Sequence, residues 1–449
     1  MGALRAQPFG VNTWLDGDYL VDDASRGAFA RDFGGAVRRI PRAVTRARTA
    51  EDIARVVAYA NGRHVKVAMR GQGHSLSGQT LIDDGIVIDS SALDAVEYTS
   101  DDTLDAEAGT LWGDVAKVAL ARGRLPPVMP DAMMLSVGGT LSVGGIGEAS
   151  FRCGAQVDHV RALDVVTGAG QLVTCSASYE PELFHMTLAG LGQCGIIVRA
   201  RLSLAAAPTF IVTHMLTYSD LDAFLADQAR LADSGASDLL NGRLNRTAQG
   251  AWEYVLFTGR FVAADDASET PSWINGLGHE SVAAAVITPT WSYLDRRTAS
   301  ITAGKAKAMP NPSLVLTLPA DATKAFITEI LASSELAAGI WFFEVSPKVP
   351  ARHGQPLQKM PATAIAYELR MQRHASAPDA EDHRAMLSAN AALVALAMQQ
   401  GGKVYPPFAP ILSAAQWRDH YGPTTWTRFA AAKRRFDPNN VLNPGAGIF

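Results

Sequence analysis

The apolar positions between residues 41 and 93 change period twice. They follow helical spacing over 49–62, then collect into short runs over 65–70 and 85–90 that predict strands on either side of a glycine-rich loop. A strand over 103–108 and a helix over 111–122 follow, with Gly109 supplying the turn between them. Proline and glycine crowd residues 126–147, which predicts a long irregular loop. Strands over 157–167 and 171–175, joined through Gly168, Ala169 and Gly170, predict a hairpin. A helix begins near Pro181, and a strand over 195–206 ends the run. Beyond Pro208 longer helical windows, at 220–234, 322–337 and 380–400, alternate with strands over 252–262 and 313–318. The apolar stretches 281–294 and 312–320 contain proline and fall short of the ~20 apolar residues that a membrane helix needs, so both predict buried strands. Residues 401–449 return to loops, aromatics and prolines, with a short helix over 425–435.

This pattern predicts an α+β protein in three parts. Residues 1–207 form a first domain of two α+β subdomains, and residues 208–400 form a second α+β domain with an antiparallel sheet. Residues 401–449 return to the first domain. A chain of 449 residues exceeds what one hydrophobic core usually supports, and 48% hydrophobic residues permit a sizeable one. A net charge of -4 provides no broad basic face, so nucleic acid is not an expected partner. The first twenty residues lack the charged start and apolar run of a secretory signal, so the expected location is the cytoplasm and no membrane association is expected. Cys153, Cys175 and Cys194 are too few and too scattered for a disulfide framework or a metal site, and are expected to be reduced, buried and structural.

Between the first two strands lies RGQGHSLSGQ, residues 70–79. Closely spaced glycines expose successive backbone N–H groups, and such a nest can grip a pyrophosphate that a loop of larger residues would exclude. His74 sits in the middle of it. A histidine alone in such a loop is more often a packing residue; the nest around it is what singles it out. A second glycine run, residues 190–195, formally matches G-x-G-x-x-G. A dinucleotide fingerprint follows a strand and opens a helix, whereas here a helix precedes and a strand follows, so a nicotinamide site is rejected.

Taken together, ARDFGG (30–35), RGQGHS (70–75) with Gly78 and Gln79, SVGGTLS (136–142), GLGQ (190–193) and the tail FDP (436–438) with Pro444, Gly445, Ile448 and Phe449 resemble the vanillyl-alcohol-oxidase-type family, with its PCMH-type FAD domain. Within it the chain is most similar to cytokinin dehydrogenases. The resemblance implies an FAD-dependent oxidoreductase that takes hydride from a small amine or alcohol and passes the electrons to oxygen or another oxidant. It implies that His74 bonds the flavin 8α-methyl carbon. Relatives with a second link carry a cysteine where this chain has Ala132, so a single histidyl bond is expected.

The resemblance also assigns Asp131 as the catalytic carboxylate that accepts a substrate proton, with burial expected to bias its pKa upward. Gly71, Gln72, Gly73, Ser75, Gln79, Ser136, Ser142, Ile146, Ile196 and Tyr405 are implied cofactor contacts. Among these, the side chains of Gln79 and Ser142 are the expected direct donors. The tail lacks the glutamine that the family often carries after the glycine. In the second domain Asn241 stands where cytokinin dehydrogenases have a substrate-facing glutamate, Ser313 replaces a cavity tryptophan and Val315 an asparagine. These departures imply an altered pocket and count against an adenine-type cytokinin. A specialised-metabolite or carbohydrate oxidase of the same family, and a non-redox flavin-binding protein or cyclase, remain as alternatives.

Overall fold

Three sheets, of four, five and nine strands, carry the chain, together with a two-stranded ribbon. The computed structural model describes residues 15–247, 249–263, 272–306, 309–349, 354–378 and 380–449; the start of the chain, read above for a targeting signal, lies mostly outside them. In the four-stranded sheet Ala43–Arg46 and Val67–Arg70 flank Ile86–Asp89 in parallel, and Asp18–Leu20 joins the outer edge antiparallel. The helix Ala50–Asn61 makes the crossover between the first two. Thr49 caps it by accepting a hydrogen bond from the Asp52 N–H at 3.1 Å, and its apolar stripe of Ile53, Val56, Val57 and Ala60 is fully buried. The stripe packs between this sheet and Val166, Ile196 and Val198 of the five-stranded antiparallel sheet. The tail closes the same core. Leu442 bridges Val67, and the Lys433 ammonium, buried, reaches Asp437 at 2.6 Å and the Gln193 carbonyl at 3.0 Å.

The nine-stranded sheet is antiparallel throughout, with Leu239–Arg246, Ile340–Lys348, Ala366–Arg373 and Leu314–Pro319 adjacent at its centre. Alternation gives these strands two unlike faces. Leu240, Leu244, Phe343, Val345, Leu369, Met371, Leu314 and Leu316 pack against Phe224 and Leu231 of helix Leu221–Ser234, Phe326 and Ile330 of Ala320–Ala332, and Leu393 of Glu381–Gln399. Burying each Leu or Phe is worth about 1.5–3 kcal/mol, which makes this apolar face the one that fastens sheet to helices. The register places Arg243 opposite Glu344, Glu344 opposite Arg370, and Arg370 opposite Val315 on the other face.

Several expectations are corrected. The stretch 126–147 is not irregular throughout: Val137–Val143 is a helix. Its glycines let it approach the strand beside it, since a Cβ at Gly138 would stand 2.7 Å from the Cβ of Ala108, and Gly144 at φ +107° ends it. The stretch 281–294 is not a buried strand but two short edge strands, Ser281–Val282 and Val286–Pro289, followed by helix Thr290–Asp295. Among the described residues those strands pair only with Phe210–Tyr218 and no layer covers that edge, which leaves Val286 and Ile287 exposed. The strand expected from residue 157 opens as a 3-10 turn, Gln156–His159. Cys175 and Cys194 are buried, with both thiols pushed up by burial, Cys175 to about 12; Cys153 is only partly buried. No described helix is long and apolar enough to cross a membrane.

Candidate active site

The glycine loop leaves the strand Val67–Arg70 and is held from below by ARDFGG, residues 30–35, a segment that carried the family resemblance but was given no role. Asp32 accepts from the Gly78 N–H at 2.7 Å and from the Ser75 hydroxyl at 3.3 Å. The neighbouring backbone zips along the loop, Phe33 N–H to the Gly73 carbonyl at 2.8 Å and Gly34 N–H to that of Ser75 at 3.2 Å. Burial raises the Asp32 pKa despite the Gly78 bond and the nearby Arg70. Arg70 lies under the loop: a Cβ at Gly73, where φ is +67°, would stand 2.5 Å from its guanidinium. His74 packs its ring on Phe33, with centroids 5.0 Å apart.

This loop opens on a cavity of about 700 Å³. Gly71, Gln72, Gly73, His74, Ser75 and Gln79 line one side. Ser136 and Ser142 enter from helix Val137–Val143 and its cap, followed by Ile146, Ile196, Asp131 and Tyr405. The glycine run 190–195 contributes Leu191, Gly192 and Gly195 to the wall as the turn between helix Pro181–Thr187 and strand Ile196–Ser203. Two side chains expected to point donors at a ligand are engaged within the protein. Gln79 donates to the carbonyls of Pro406 and Phe408 at 2.8 and 2.9 Å, and Ser142 to that of Gly138 at 2.7 Å. They hold the wall together.

The polar face of the nine-stranded sheet supplies the opposite wall. Asp131 is bound there by Arg370, and by Arg297 at 3.3 Å. Arg370 also pairs with Glu368 at 2.9 Å, and Glu368 with buried Lys348 at 3.2 Å. Arg297 lies 3.7 Å from Glu344, whose other oxygen accepts from the Asn241 amide at 2.5 Å. A further carboxylate, Glu148, pairs with Arg296 at 2.7 Å and accepts from the Tyr293 hydroxyl at 2.9 Å. Burial alone would raise the Asp131 carboxyl, but Arg370 and Arg297 outweigh it and hold the group well below the usual carboxylate range. The upward bias expected from burial is therefore reversed. Glu344, more deeply enclosed, keeps a pKa raised by burial against the pull of the same two guanidiniums.

Of the three expected pocket positions, Ser313 lines the cavity, its backbone beside Asn311 and its hydroxyl accepting from the Arg373 N–H at 3.0 Å. Asn241 is buried behind the wall with its amide on Glu344, and Val315 is wholly buried, its carbonyl accepting from the Tyr405 N–H at 3.0 Å. The arginines of this wall escaped the sequence reading. A signal was present in the alternation of Tyr367, Leu369 and Met371 with Glu368, Arg370 and Gln372, a strand with one apolar and one charged face.

Residues 41–176 match the family described as FAD binding domain, and residues 293–449 match the one described as cytokinin dehydrogenase 1, FAD and cytokinin binding. Cytokinin dehydrogenase 4 of Arabidopsis thaliana is 31% identical over 96% of this chain and 92% of its own. The chain belongs to the cytokinin dehydrogenase family of FAD-linked oxidoreductases. An uncharacterised oxidoreductase of the fasciation locus of Rhodococcoides fascians is 32% identical over 96% of this chain and 99% of its own. The fold is shared with 6-hydroxy-D-nicotine oxidase from Arthrobacter nicotinovorans, at a TM-score of 0.75 and 20% identity over 97% of this chain and 98% of that one.

The residues present fit the FAD of such an oxidoreductase. A Cβ at Gly71 would stand 2.1 Å from the Ser136 hydroxyl, and Gly73 and Gly78 have φ of +67° and +78°. The cradle is thus shaped by missing side chains, which is what close approach of a phosphate to backbone N–H groups requires.

Proposed function

We propose that this FAD-dependent oxidoreductase acts on a small amine or alcohol, with the cofactor joined through a single bond to His74 and Asp131 receiving the substrate's proton. The observation that carries the reading is that His74 and Asp131 line one cavity although they come from separate loops. FAD, when bound, supplies a two-electron acceptor. The backbone of residues 71–75 would hold its phosphates, and Ala132 on the same wall offers no thiol for a second bond.

Asp131, kept ionised by Arg370 and Arg297, accepts a hydrogen bond from the substrate N–H or O–H and so fixes which hydrogen faces the reaction. Transfer of that proton to the carboxylate leaves an electron pair on the heteroatom, which weakens the adjacent C–H bond. The two guanidiniums lower the carboxylate's basicity, so the acid formed gives its proton up readily afterwards. Ser313, smaller than the tryptophan that the family resemblance places there, supports a substrate other than an isopentenyl cytokinin.

Two measurements test the reading. Acid precipitation of the yellow protein is expected to leave the colour in the pellet and His74→Ala to release it; a colourless pellet from flavin-loaded unmodified protein refutes the bond. Anaerobic titration with amines, alcohols, sugars and isopentenyladenine should bleach the flavin with an amine or alcohol. Bleaching by none of these, or fastest by isopentenyladenine, overturns the substrate reading.

A further inference from the structure

Three arginines line the cavity, Arg243 and Arg370 from the sheet and Arg297 from the turn before helix Thr298–Ala306. Two are committed. Arg370 binds Asp131 and Glu368, and Arg297 is shared between Asp131 and Glu344. Arg243 has no ion pair among the described residues, and its Nε is buried without a hydrogen-bond partner. Its guanidinium is nevertheless fixed in place, with its carbon 4.5 Å from the ring centre of Phe342 and 5.1 Å from that of Phe257. Aromatic rings take the faces of a guanidinium and leave its edge, where the N–H fork matches a carboxylate in a bidentate pair.

We infer that the substrate carries a carboxylate and that Arg243 receives it, on the same wall that presents Asp131 to the reacting end. The inference rests on the proposed reading of this cavity as the oxidation site and names its substrate class. Strand register supports the placement: Arg243 lies opposite Glu344, which lies opposite Arg370, so the anion site and the Asp131 partner stand two strands apart on one face. The electrostatics agree. Burial and the charges of Arg297 and Arg296 disfavour the cationic form of Arg243 against the opposing pull of Glu344 and Glu148, so an incoming anion would favour the cation. The arginine beneath the glycine loop is a different one, Arg70, whose guanidinium stands against Gly73.

The test uses the flavin-loaded enzyme and two pairs of probes, phenylacetate against phenylacetamide and 3-phenylpropionate against 3-phenylpropionamide, with binding read from the flavin spectrum and from calorimetry. A charge-assisted bidentate bond predicts that at least one acid binds about 10- to 100-fold more tightly than its amide. Arg243→Met should abolish that preference while keeping the flavin, and Arg243→Lys should restore part of it. Equal binding of acid and amide, no binding of either acid, or a preference that survives in Arg243→Met overturns the inference. Should Arg243→Met fail to fold, the acid–amide comparison in the unmodified enzyme and in Arg243→Lys decides. Failure of the functional reading looks different: Asp131→Asn would then reduce its flavin at an unchanged rate, whatever the acid–amide ratio.

Discussion

The two walls of the cavity are built by opposite means. The loop wall is backbone: glycines strip away side chains, and Asp32, Phe33 and Gly34 clamp the exposed chain through bonds of 2.7–3.3 Å. The sheet wall is side chain: charges from Ile340–Lys348 and Ala366–Arg373, with Arg297 from the turn before helix Thr298–Ala306, meet Asp131 in a chain of ion pairs running from Lys348 to Glu344. The first is governed by short-range sterics within one segment, and the second by desolvated charge from residues far apart in the chain. A backbone cradle serves a phosphate whatever else the molecule binds. A wall of side chains can be rewritten one strand position at a time, which is how a family can keep its cofactor and change its substrate.

The comparison is broken most directly at Asp131. Asp131→Asn should slow flavin reduction about 10²–10⁴-fold in rapid mixing under nitrogen, because the amide accepts no proton. It should also lower the unfolding free energy by about 3 kcal/mol in urea titration, since Arg370 and Arg297 lose their shared counter-ion. An unchanged reduction rate would leave Asp131 only the second role. Next in size is Glu368→Gln, which touches no loop residue but strands Lys348, whose side chain is 3% exposed. A loss of about 3–5 kcal/mol is expected, and less than about 0.5 kcal/mol would mean that the wall is not held by its charges.

On the loop side, Gly73→Ala should cost about 1–2 kcal/mol of backbone strain at φ +67° and push on Arg70, lowering the flavin-to-protein absorbance ratio. Gly235→Ala, in the left-handed region at φ +65° with open space around it, is the control: strain of the same kind with full flavin content. Equal flavin content in both variants would deny that the loop works by shape. The smallest effect is an expected constancy. A carboxyl whose pKa is lowered on folding contributes stability above its unfolded value of about 3.9 and loses it as the pH falls through the lower folded value. The stability difference between the unmodified protein and Asp131→Asn should therefore be flat between about pH 5 and 8 and shrink only below about pH 4. A difference already shrinking near pH 6 would mean that burial, and not the two arginines, sets the charge of Asp131.

The loop wall was legible in the sequence because its determinants are contiguous. RGQGHS names its own conformation, and Thr49, Gly62 and the stripe between them mark the helix that supports it. Helix Val137–Val143 was hidden because paired glycines normally break helices, and here the compensating contact, Ala108, comes from another element. The stretch 281–294 misled for the converse reason: its apolar residues stand at a sheet edge that nothing in the described structure covers.

What the sequence by itself determined is the set of local commitments: the α+β alternation, the glycine cradle, and His74 in its middle, each a matter of backbone sterics and side-chain period within a few residues. Only the tertiary structure decided that Gln79 and Ser142 turn inward, that Asn241 faces Glu344 and not the cavity, and that Asp131 is an ionised partner of Arg297 and Arg370. A charge is set by what surrounds it in space, and those surroundings come from a strand and a helix turn more than a hundred residues away along the chain, brought together by register and packing that no single segment encodes.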